Sequence, residues 1–191
     1  MSTNLEIEFK SDITKEEYES LISKFDAKKI YRQTNYYIDS DSLIIRVKKC
    51  GLRIRETNGD FELTLKVPAL EGKLEINQQI SNKMFENLAS RDDFPEGEVK
   101  LFLEEKLEVK SSDLHILGKL VTDRLDVRYK TSLISIDKSK YNGFTDYEVE
   151  AEDESLDAAQ NNLLKFLNQN DVKYKKSSGT KLKRFLKTLI N

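Results

Sequence analysis

The most regular pattern along the chain is a strict alternation of apolar and charged residues. It begins at residues 5–10, LEIEFK, where every second residue is apolar and every other one is charged. Successive side chains of a strand point to opposite faces, so this pattern predicts a strand with Glu6, Glu8 and Lys10 on one face. The ordinary explanation for such a strand is that its charged face meets water.

The same alternation predicts most of a sheet. Two alternating runs flank Asn58-Gly59, which is the strongest short sequence signal for a β-hairpin. The full set of predicted strands covers residues 5–10, 28–38, the two arms of 51–68, 73–80, 117–129, 132–140 and 144–152. This gives a count of about eight strands.

Helical periodicity appears between these strands. Thr14 and Glu17 have the spacing of a capping box, which predicts a helix that ends near Asp26. Further helices are predicted after Ser81, across residues 99–107, from residue 156 to about residue 170 after Ser155, and after Thr180.

The charged residues of the predicted strands are sorted by sign, with basic residues in GLRIRE and LTLK and acidic residues in YEVEAE. Two folds fit this pattern: an open antiparallel sheet with a solvated charged face, or a closed barrel with a charged lumen. Closure removes exposed edges, and about eight strands leave an interior wide enough for a ligand. We therefore expect an α+β fold, a closed eight-stranded antiparallel β-barrel (tunnel) with helices packed outside.

Composition narrows the class of protein. Charged residues make up 35% of the 191 residues, yet the net charge is only −2. Opposite charges must therefore lie near one another, which argues against a nucleic-acid partner. A length of 191 residues predicts one domain over residues 1–191. The single cysteine and an N-terminus without the pattern of a secretion signal predict a cytoplasmic protein. The apolar runs are too short to cross a bilayer, so we expect no membrane partner.

The ordered set of motifs resembles the CYTH-domain proteins of the triphosphate tunnel metalloenzyme superfamily. These motifs are E-x-E-x-K at 6–10, LRIRE at 52–56, LTLK at 63–66, DR at 123–124, YEVE at 147–150 and K-x-x-R at 181–184. The resemblance runs over nearly the whole chain. It implies an eight-stranded antiparallel tunnel that binds a triphosphate with basic side chains and divalent cations with carboxylates.

The basic residues have the chemistry that a triphosphate requires, because that group carries about four negative charges at neutral pH. Arginine pairs with phosphate oxygens bidentately, while lysine acts as a point charge. Each candidate also fits a surface salt bridge worth about 0–1 kcal/mol. The predicted catalytic residues are Lys10, Arg53, Arg55, Lys66 and Arg124, and the predicted substrate ligands are these five together with Arg128, Lys181 and Arg184.

Four carboxylates are the predicted metal ligands: Glu6, Glu8, Glu148 and Glu150. Carboxylates that converge without a cation repel one another and raise one another's pKa, so the arrangement makes sense chiefly as a cation site. Hard oxygen ligands beside phosphate favour Mg²⁺ or Mn²⁺. Glu75 and Glu152 have the parity either to extend this acidic patch or to face solvent.

The expected function is metal-dependent hydrolysis of a small-molecule triphosphate, inorganic tripolyphosphate or a related organic triphosphate, to diphosphate and orthophosphate. One cation and the basic residues would hold the chain, and a second cation would orient a water for in-line attack. A fold does not by itself fix an activity. A class IV-type adenylate cyclase, a thiamine triphosphatase and a non-catalytic polyphosphate-binding module remain alternatives, and the oligomeric state, monomer or homodimer, is left open.

Overall fold

The computed structural model describes residues 2–189, which form an antiparallel β-sheet with helices. The strands are β1 (Ser2–Glu6), β2 (Glu8–Asp12), β3 (Tyr31–Asp39), β4 (Gly51–Thr57), β5 (Asp60–Pro68), β6 (Lys73–Ile80), β7 (His115–Tyr129), β8 (Ser132–Tyr141) and β9 (Phe144–Glu152). The helices are α1 (Lys15–Ser23), α2 (Ile44–Val47), α3 (Asn82–Ala89), α4 (Glu98–Glu105), α5 (Leu156–Gln169) and α6 (Lys181–Lys187), with 3₁₀ turns at Ala27–Lys29 and Ser111–Asp113. The α+β class is thus as expected.

The strand order is β1-β6-β5-β4-β3-β7-β8-β9-β2. The described chain divides into two compact units, a first unit of residues 2–5 and 33–120 and a second unit of residues 6–32 and 121–189. The single domain expected over residues 1–191 stays a prediction, and residues 1, 190 and 191 lie outside the described part. None of the helices within residues 2–189 is long and apolar enough to span a membrane.

The N-terminal segment departs from its prediction. The expected single strand over residues 5–10 is interrupted at Ile7, so that β1 and β2 are separate strands. The expected apolar face is also wrong for Leu5, which is 50% exposed, whereas Ile7 is buried. The interruption raises the described strand count from the expected eight to nine.

In the first unit, the hairpin predicted at Asn58-Gly59 is confirmed between β4 and β5. Both turn residues have positive φ, 54° and 90°, as a type I′ turn requires. Alternate residues of β4, β5 and β6 point to an apolar core, which α3 and α4 complete with Leu88, Val99 and Leu103. The opposite face of these strands is left for polar side chains.

In the second unit, α1 and α5 pack on the apolar faces of β8 and β9. The capping box of Thr14 and Glu17 is confirmed at the start of α1, and Ser155 caps α5 as predicted. The buried core of this unit contains Leu21, Leu125, Ile134, Ile136, Val149, Leu163 and Phe166. Because the helices cover this face, the charged residues of the opposite parity lie on the other face: Lys10 of β2, Arg124 of β7, Asp137 of β8, and Glu148 and Glu150 of β9.

Candidate active site

Strand register brings acids and bases together on the polar face of the second unit. Pairing of β2 with β9 sets Lys10 opposite Glu150. Pairing of β8 with its two neighbours sets Asp137 opposite Glu148 on one side and opposite Arg124 on the other. Directly opposed side chains of antiparallel strands have Cβ atoms about 4.5–5.5 Å apart. Neighbouring strands therefore place these five charged side chains within reach of one another.

Three carboxylates form the centre of this face, and we refer to Asp137, Glu148 and Glu150 as the carboxylate cluster. One oxygen from each lies within 4.8 Å of the others. Their side chains are 0%, 1% and 12% exposed, respectively. Carboxylates this close together and this far from water require positive charge beside them.

Arg124 supplies part of that charge. Its Nε donates to Oδ1 of Asp137 at 2.7 Å, and its Nη2 donates to Oδ2 of the same carboxylate at 2.5 Å. Nη2 also donates to Oε2 of Glu150 at 2.9 Å. The bidentate geometry fixes the plane of the Asp137 carboxylate as well as neutralising it.

Lys10 adds a second positive charge. Its Nζ lies 2.6 Å from Oε1 of Glu8 and 2.9 Å from Oε1 of Glu150. Burial lowers the pKa of Lys10, but the nearby carboxylates outweigh that effect and raise the pKa above its ordinary value. The structure thus brings together Glu8, Lys10 and Glu150, three of the residues predicted from the sequence.

Helix α6 brings Lys181 to the carboxylate cluster. The side chain of Thr180 accepts a hydrogen bond from the backbone N–H of Lys183, which fixes the start of the helix as predicted. The Nζ of Lys181 lies 2.8 Å from Oδ2 of Asp137 and 3.0 Å from Oε1 of Glu150, and it also contacts Glu148. Lys181 is therefore an internal counterion to all three carboxylates.

One turn later, Arg184 is held on all sides of its guanidinium. Nε donates to Oδ2 of Asp146 at 2.7 Å, and Nη2 donates to Oε2 of Glu148 at 2.8 Å. Nη1 donates to the carbonyl oxygen of Gly179 at 2.5 Å. The hydroxyl of Tyr141 donates to the same oxygen of Asp146. Each guanidinium nitrogen is thus already bonded within the protein.

The neighbouring charges and burial shift the pKa values of the three carboxylates in different directions. Burial raises the pKa of Glu150, but Lys10, Lys181 and Arg124 outweigh it and hold that pKa well below its usual range. The pKa of Asp137 is lowered in the same way, since Arg124 and Lys181 overcome the effect of burial. Burial and the charge of Glu150 raise the pKa of Glu148. Asp137 and Glu150 are therefore ionised at neutral pH. Glu148 is the member whose charged form an added cation would stabilise.

The polar face of the first unit carries a second group of charges. The Nζ of Lys66 lies 2.7 Å from Oε1 of Glu75, and Asn4 donates to Oε2 of Glu75 at 3.1 Å. Burial raises the pKa of Glu75, but Lys66, Arg53 and Asn4 bring it down to about 2. On β4, the Nε of Arg55 donates to Oδ1 of Asn35 at 3.1 Å. Arg53, Arg55 and Lys66, all predicted ligands, share this face.

The predicted site residues Glu6 and Arg128, and Glu152, whose role the sequence left open, are not part of the carboxylate cluster. Glu6 ends β1 and does not belong to the cluster, and Glu152 is exposed at the end of β9. Arg128 is exposed on β7, and its side chain has no hydrogen bond or ion pair with residues 2–189.

Asp137 is a member of the carboxylate cluster that was not predicted from the sequence. It alternates with Ile134 and Ile136 along β8, and Ser135 and Ser139 share its parity. This alternation was the available signal, but one acid between two serines does not stand out until the register sets it against Glu148.

The carboxylate cluster fits a hard divalent cation. Its donors are all carboxylate oxygens, the ligand type that Mg²⁺ and Mn²⁺ prefer. Oε1 of Glu148 is buried and accepts no hydrogen bond from residues 2–189, although Lys181 lies beside it. Asp137, Glu148 and Glu150 are therefore the residues that could hold a metal ion.

Comparison with known proteins agrees with the sequence motifs. The family model described as the CYTH domain matches residues 4–186. The chain belongs to the CYTH domain family. This CYTH protein is 40% identical over 154 residues to "Putative triphosphatase YjbK" of Bacillus subtilis (strain 168), a match that covers 80% of this chain and 79% of that protein.

Solved structures with the same fold include two that cover nearly all of this CYTH protein. The crystal structure of a "putative adenylate cyclase (bh2851)" from Bacillus halodurans has a TM-score of 0.89 at 32% identity, covering 97% of this chain and 99% of that chain. HpAC1 from Hippeastrum has a TM-score of 0.78 at 20% identity, covering 96% of each chain, and at that identity the likeness concerns the fold alone.

Proposed function

We propose that this CYTH protein hydrolyses a triphosphate to diphosphate and orthophosphate in a reaction that depends on a divalent metal ion. The observation that carries the proposal is the carboxylate cluster with Lys10, Arg124 and Lys181 within hydrogen-bonding distance of it. The 40% identity to a relative named as a triphosphatase supports the same reaction.

Asp137, Glu148 and Glu150 are the proposed metal ligands, with Glu8 and Glu6 as further ligands proposed from the N-terminal motif. A bound Mg²⁺ or Mn²⁺ ion would neutralise charge on the phosphoryl oxygens during attack by water. Asp137 and Glu150 are suited to hold it because their lowered pKa values keep them ionised.

Lys10, Arg124 and Lys181 neutralise the carboxylates in this structure, and we propose that they exchange carboxylate for phosphate oxygens when metal and substrate bind. Each keeps its positive charge throughout, because each sits among acids that raise its pKa. These side chains would position the phosphate chain and stabilise the charge that develops on the leaving diphosphate, which is most of what catalysis of phosphoryl transfer requires.

Arg53, Arg55, Lys66 and Arg128 are proposed as further ligands of the same triphosphate. This part of the proposal includes closure of the strands into a tunnel within one domain, as the family resemblance implies. The strand order is compatible with closure, since β1 and β2 stand at its two ends and are separated in sequence by Ile7 alone. We also propose that the protein acts in the cytoplasm.

A second candidate function is cyclisation of ATP to cyclic AMP and pyrophosphate. The observation that favours it is the 32% identity over 97% of this chain to the structure named as an adenylate cyclase. The same acids and bases would serve this reaction, with a ribose hydroxyl in place of water as the nucleophile.

Product analysis distinguishes these functions. The protein is incubated with tripolyphosphate, thiamine triphosphate or ATP, with Mg²⁺, Mn²⁺ or EDTA, and the products are identified by chromatography. Orthophosphate and diphosphate that form only with metal support the proposal, and the preferred substrate identifies the triphosphate. Cyclic AMP with pyrophosphate would support the cyclase instead. Binding of a triphosphate without turnover of any substrate would show a binding module and overturn both.

A further inference from the structure

Two buried polar atoms on the first unit lack partners. Arg53 on β4 is directly opposite Thr64 on β5. Nε of Arg53 and Oγ1 of Thr64 are both shielded from solvent, and neither has a hydrogen-bond partner among residues 2–189. Within the same part of the chain, the guanidinium of Arg53 also has no ion-pair partner. Thr64 is fully buried, with an exposure of 0%.

The neighbouring polar side chains are engaged elsewhere. Asn77, which is opposite Thr64 on β6, donates from Nδ2 to Oδ1 of Asn4 at 2.8 Å. The carboxylate of Glu75 is bound by Lys66 and Asn4. The side chains of Asn77 and Glu75 therefore do not form a hydrogen bond with the hydroxyl of Thr64 or with the Nε–H of Arg53.

Folded proteins rarely leave such groups unpaired. Buried polar atoms almost always have a partner, and a buried hydroxyl or cation without one costs stability. Two unpaired groups side by side on adjacent strands mark a position where a ligand completes the hydrogen bonding. Both can donate and one carries a positive charge, so the matching ligand is an anionic oxygen.

We propose that Arg53 and Thr64 together form a subsite for one phosphoryl group of the substrate. The Nε–H of Arg53 and the hydroxyl of Thr64 both donate to its oxygens. Thr64 is the new element, an uncharged residue that orients the phosphoryl group, whereas Arg53 contributes the charge. The identity of the ligand as a triphosphate rests on the proposed function.

This subsite has a consequence that a purely structural threonine would not have. Valine has nearly the shape of threonine but no hydroxyl. Because Oγ1 of Thr64 has no partner in the free protein, Thr64→Val should leave the free protein as stable as wild type or more stable. The same change removes a hydrogen bond to a charged group in the complex and should weaken triphosphate binding about 10- to 100-fold.

Thr122 provides a matched control. It is 1% exposed and lies on the polar face of a strand, but its hydroxyl is hydrogen-bonded to that of Ser139 at 2.9 Å. Thr122→Val should therefore lower the melting temperature of the free protein. Thr64→Ser, which keeps the hydroxyl, should bind the triphosphate nearly as well as wild type.

The experiment measures two quantities on the full chain of wild type and the three variants. The first is the melting temperature without ligand, and the second is binding of bis(methylene)triphosphonate, a non-hydrolysable triphosphate, by calorimetry with Mg²⁺. Weaker binding by Thr64→Val without loss of melting temperature, together with recovery in Thr64→Ser, is the expected result. Equal binding by wild type and Thr64→Val would overturn the subsite, as would a fall in melting temperature matching that of Thr122→Val.

Failure of the proposed function gives a different result. A wild-type protein that binds the triphosphonate through Thr64 but hydrolyses no triphosphate refutes the hydrolase and keeps the subsite. A wild-type protein that hydrolyses tripolyphosphate while Thr64→Val has an unchanged KM keeps the hydrolase and refutes the subsite. A wild-type protein that neither binds the triphosphonate nor hydrolyses tripolyphosphate refutes both.

Discussion

Arg184 and Glu148 form a buried ion pair, in which Nη2 donates to Oε2 at 2.8 Å and the side chains are 8% and 1% exposed. The same guanidinium binds Asp146 and the carbonyl of Gly179. Arg184 therefore attaches α6 to β9 and fixes the orientation of a proposed metal ligand at the same time.

Replacing Arg184 by alanine should destabilise the protein by about 3–5 kcal/mol, because it leaves Glu148 as a buried carboxylate with one counterion fewer. Urea unfolding at pH 7 measures the change. Lys187→Ala is the control, since Lys187 is an exposed cation on the same helix and its removal should shift stability by less than about 0.5 kcal/mol. Equal stability of the two variants would mean that the ion pair with Glu148 contributes nothing.

Asp137→Asn should weaken metal binding, although Asp137 is absent from the motifs that point to the family. Its carboxylate oxygen is one of three within 4.8 Å of one another. We expect the affinity for Mn²⁺ to fall by at least about tenfold, a loss that substitutions of outer-shell partners alone commonly cause. Calorimetric titration of the substrate-free protein with Mn²⁺ measures it, with Glu150→Gln as a variant expected to behave alike.

The matched control for that titration is Asp126→Asn. Asp126 lies on β7, and its carboxylate already accepts hydrogen bonds from Tyr31 at 2.6 Å and Ser135 at 2.7 Å. It lies outside the carboxylate cluster, so its variant should retain the wild-type affinity for Mn²⁺. If both variants lost affinity equally, the effect would come from total charge, and the assignment of Asp137 as a ligand would be refuted.

Glu75 should make the stability of the protein depend on acid. Its pKa is about 2 in the folded chain against an ordinary value of 4.5. A lowered pKa contributes stability above the unfolded value and loses it as the pH falls toward the folded value. The contribution, on the order of 3 kcal/mol for this shift, should therefore be complete above about pH 5.5 and disappear toward pH 2.

The measurement compares urea unfolding of wild type and Glu75→Gln between pH 7 and pH 2.5. Wild type should be the more stable at pH 7, and the difference should shrink as the pH falls. Glu105→Gln, which removes an exposed carboxylate, is the control for the loss of one negative charge. A difference between wild type and Glu75→Gln that stayed constant across this range would contradict the lowered pKa.

Local sequence signals predicted most of the elements. Asn58 and Gly59 tolerate positive φ, so the hairpin could be located from two residues, and Thr14 with Glu17 located a helix start in the same way. Helix α2 was missed because its stabilising contacts are less local. It follows Leu43 at a φ of 55°, and the carboxylate of Asp39 accepts hydrogen bonds from the backbone N–H groups of Ile45 and Arg46.

The candidate site was predicted where charge alternates densely and missed where a single residue matters. Lys10, Glu148 and Glu150 stand in alternating motifs, and they lie together as polar-face neighbours. Asp137 and Thr64 acquire their importance from strands far away in sequence, through a register that one sequence does not specify. The interruption at Ile7 was not predicted for the same reason. The alternation continues unbroken through residues 5–10 and does not indicate that β1 and β2 pair with different strands.

Arg124 and Arg128 share the polar face of β7 but should affect turnover differently. Arg124 is bonded to Asp137 and Glu150, so Arg124→Lys, which loses the bidentate pair, should lower kcat for tripolyphosphate as well as stability.

Arg128 is exposed, so Arg128→Ala should leave stability and kcat unchanged and raise KM, the pattern of a ligand that attracts substrate and transition state alike. That rise in KM should be larger at about 0.01 M ionic strength than at about 0.15 M, because salt screens an exposed charge. Steady-state kinetics at the two ionic strengths measures both variants. An unchanged KM for Arg128→Ala at low salt would remove Arg128 from the substrate ligands while leaving the role of Arg124 intact.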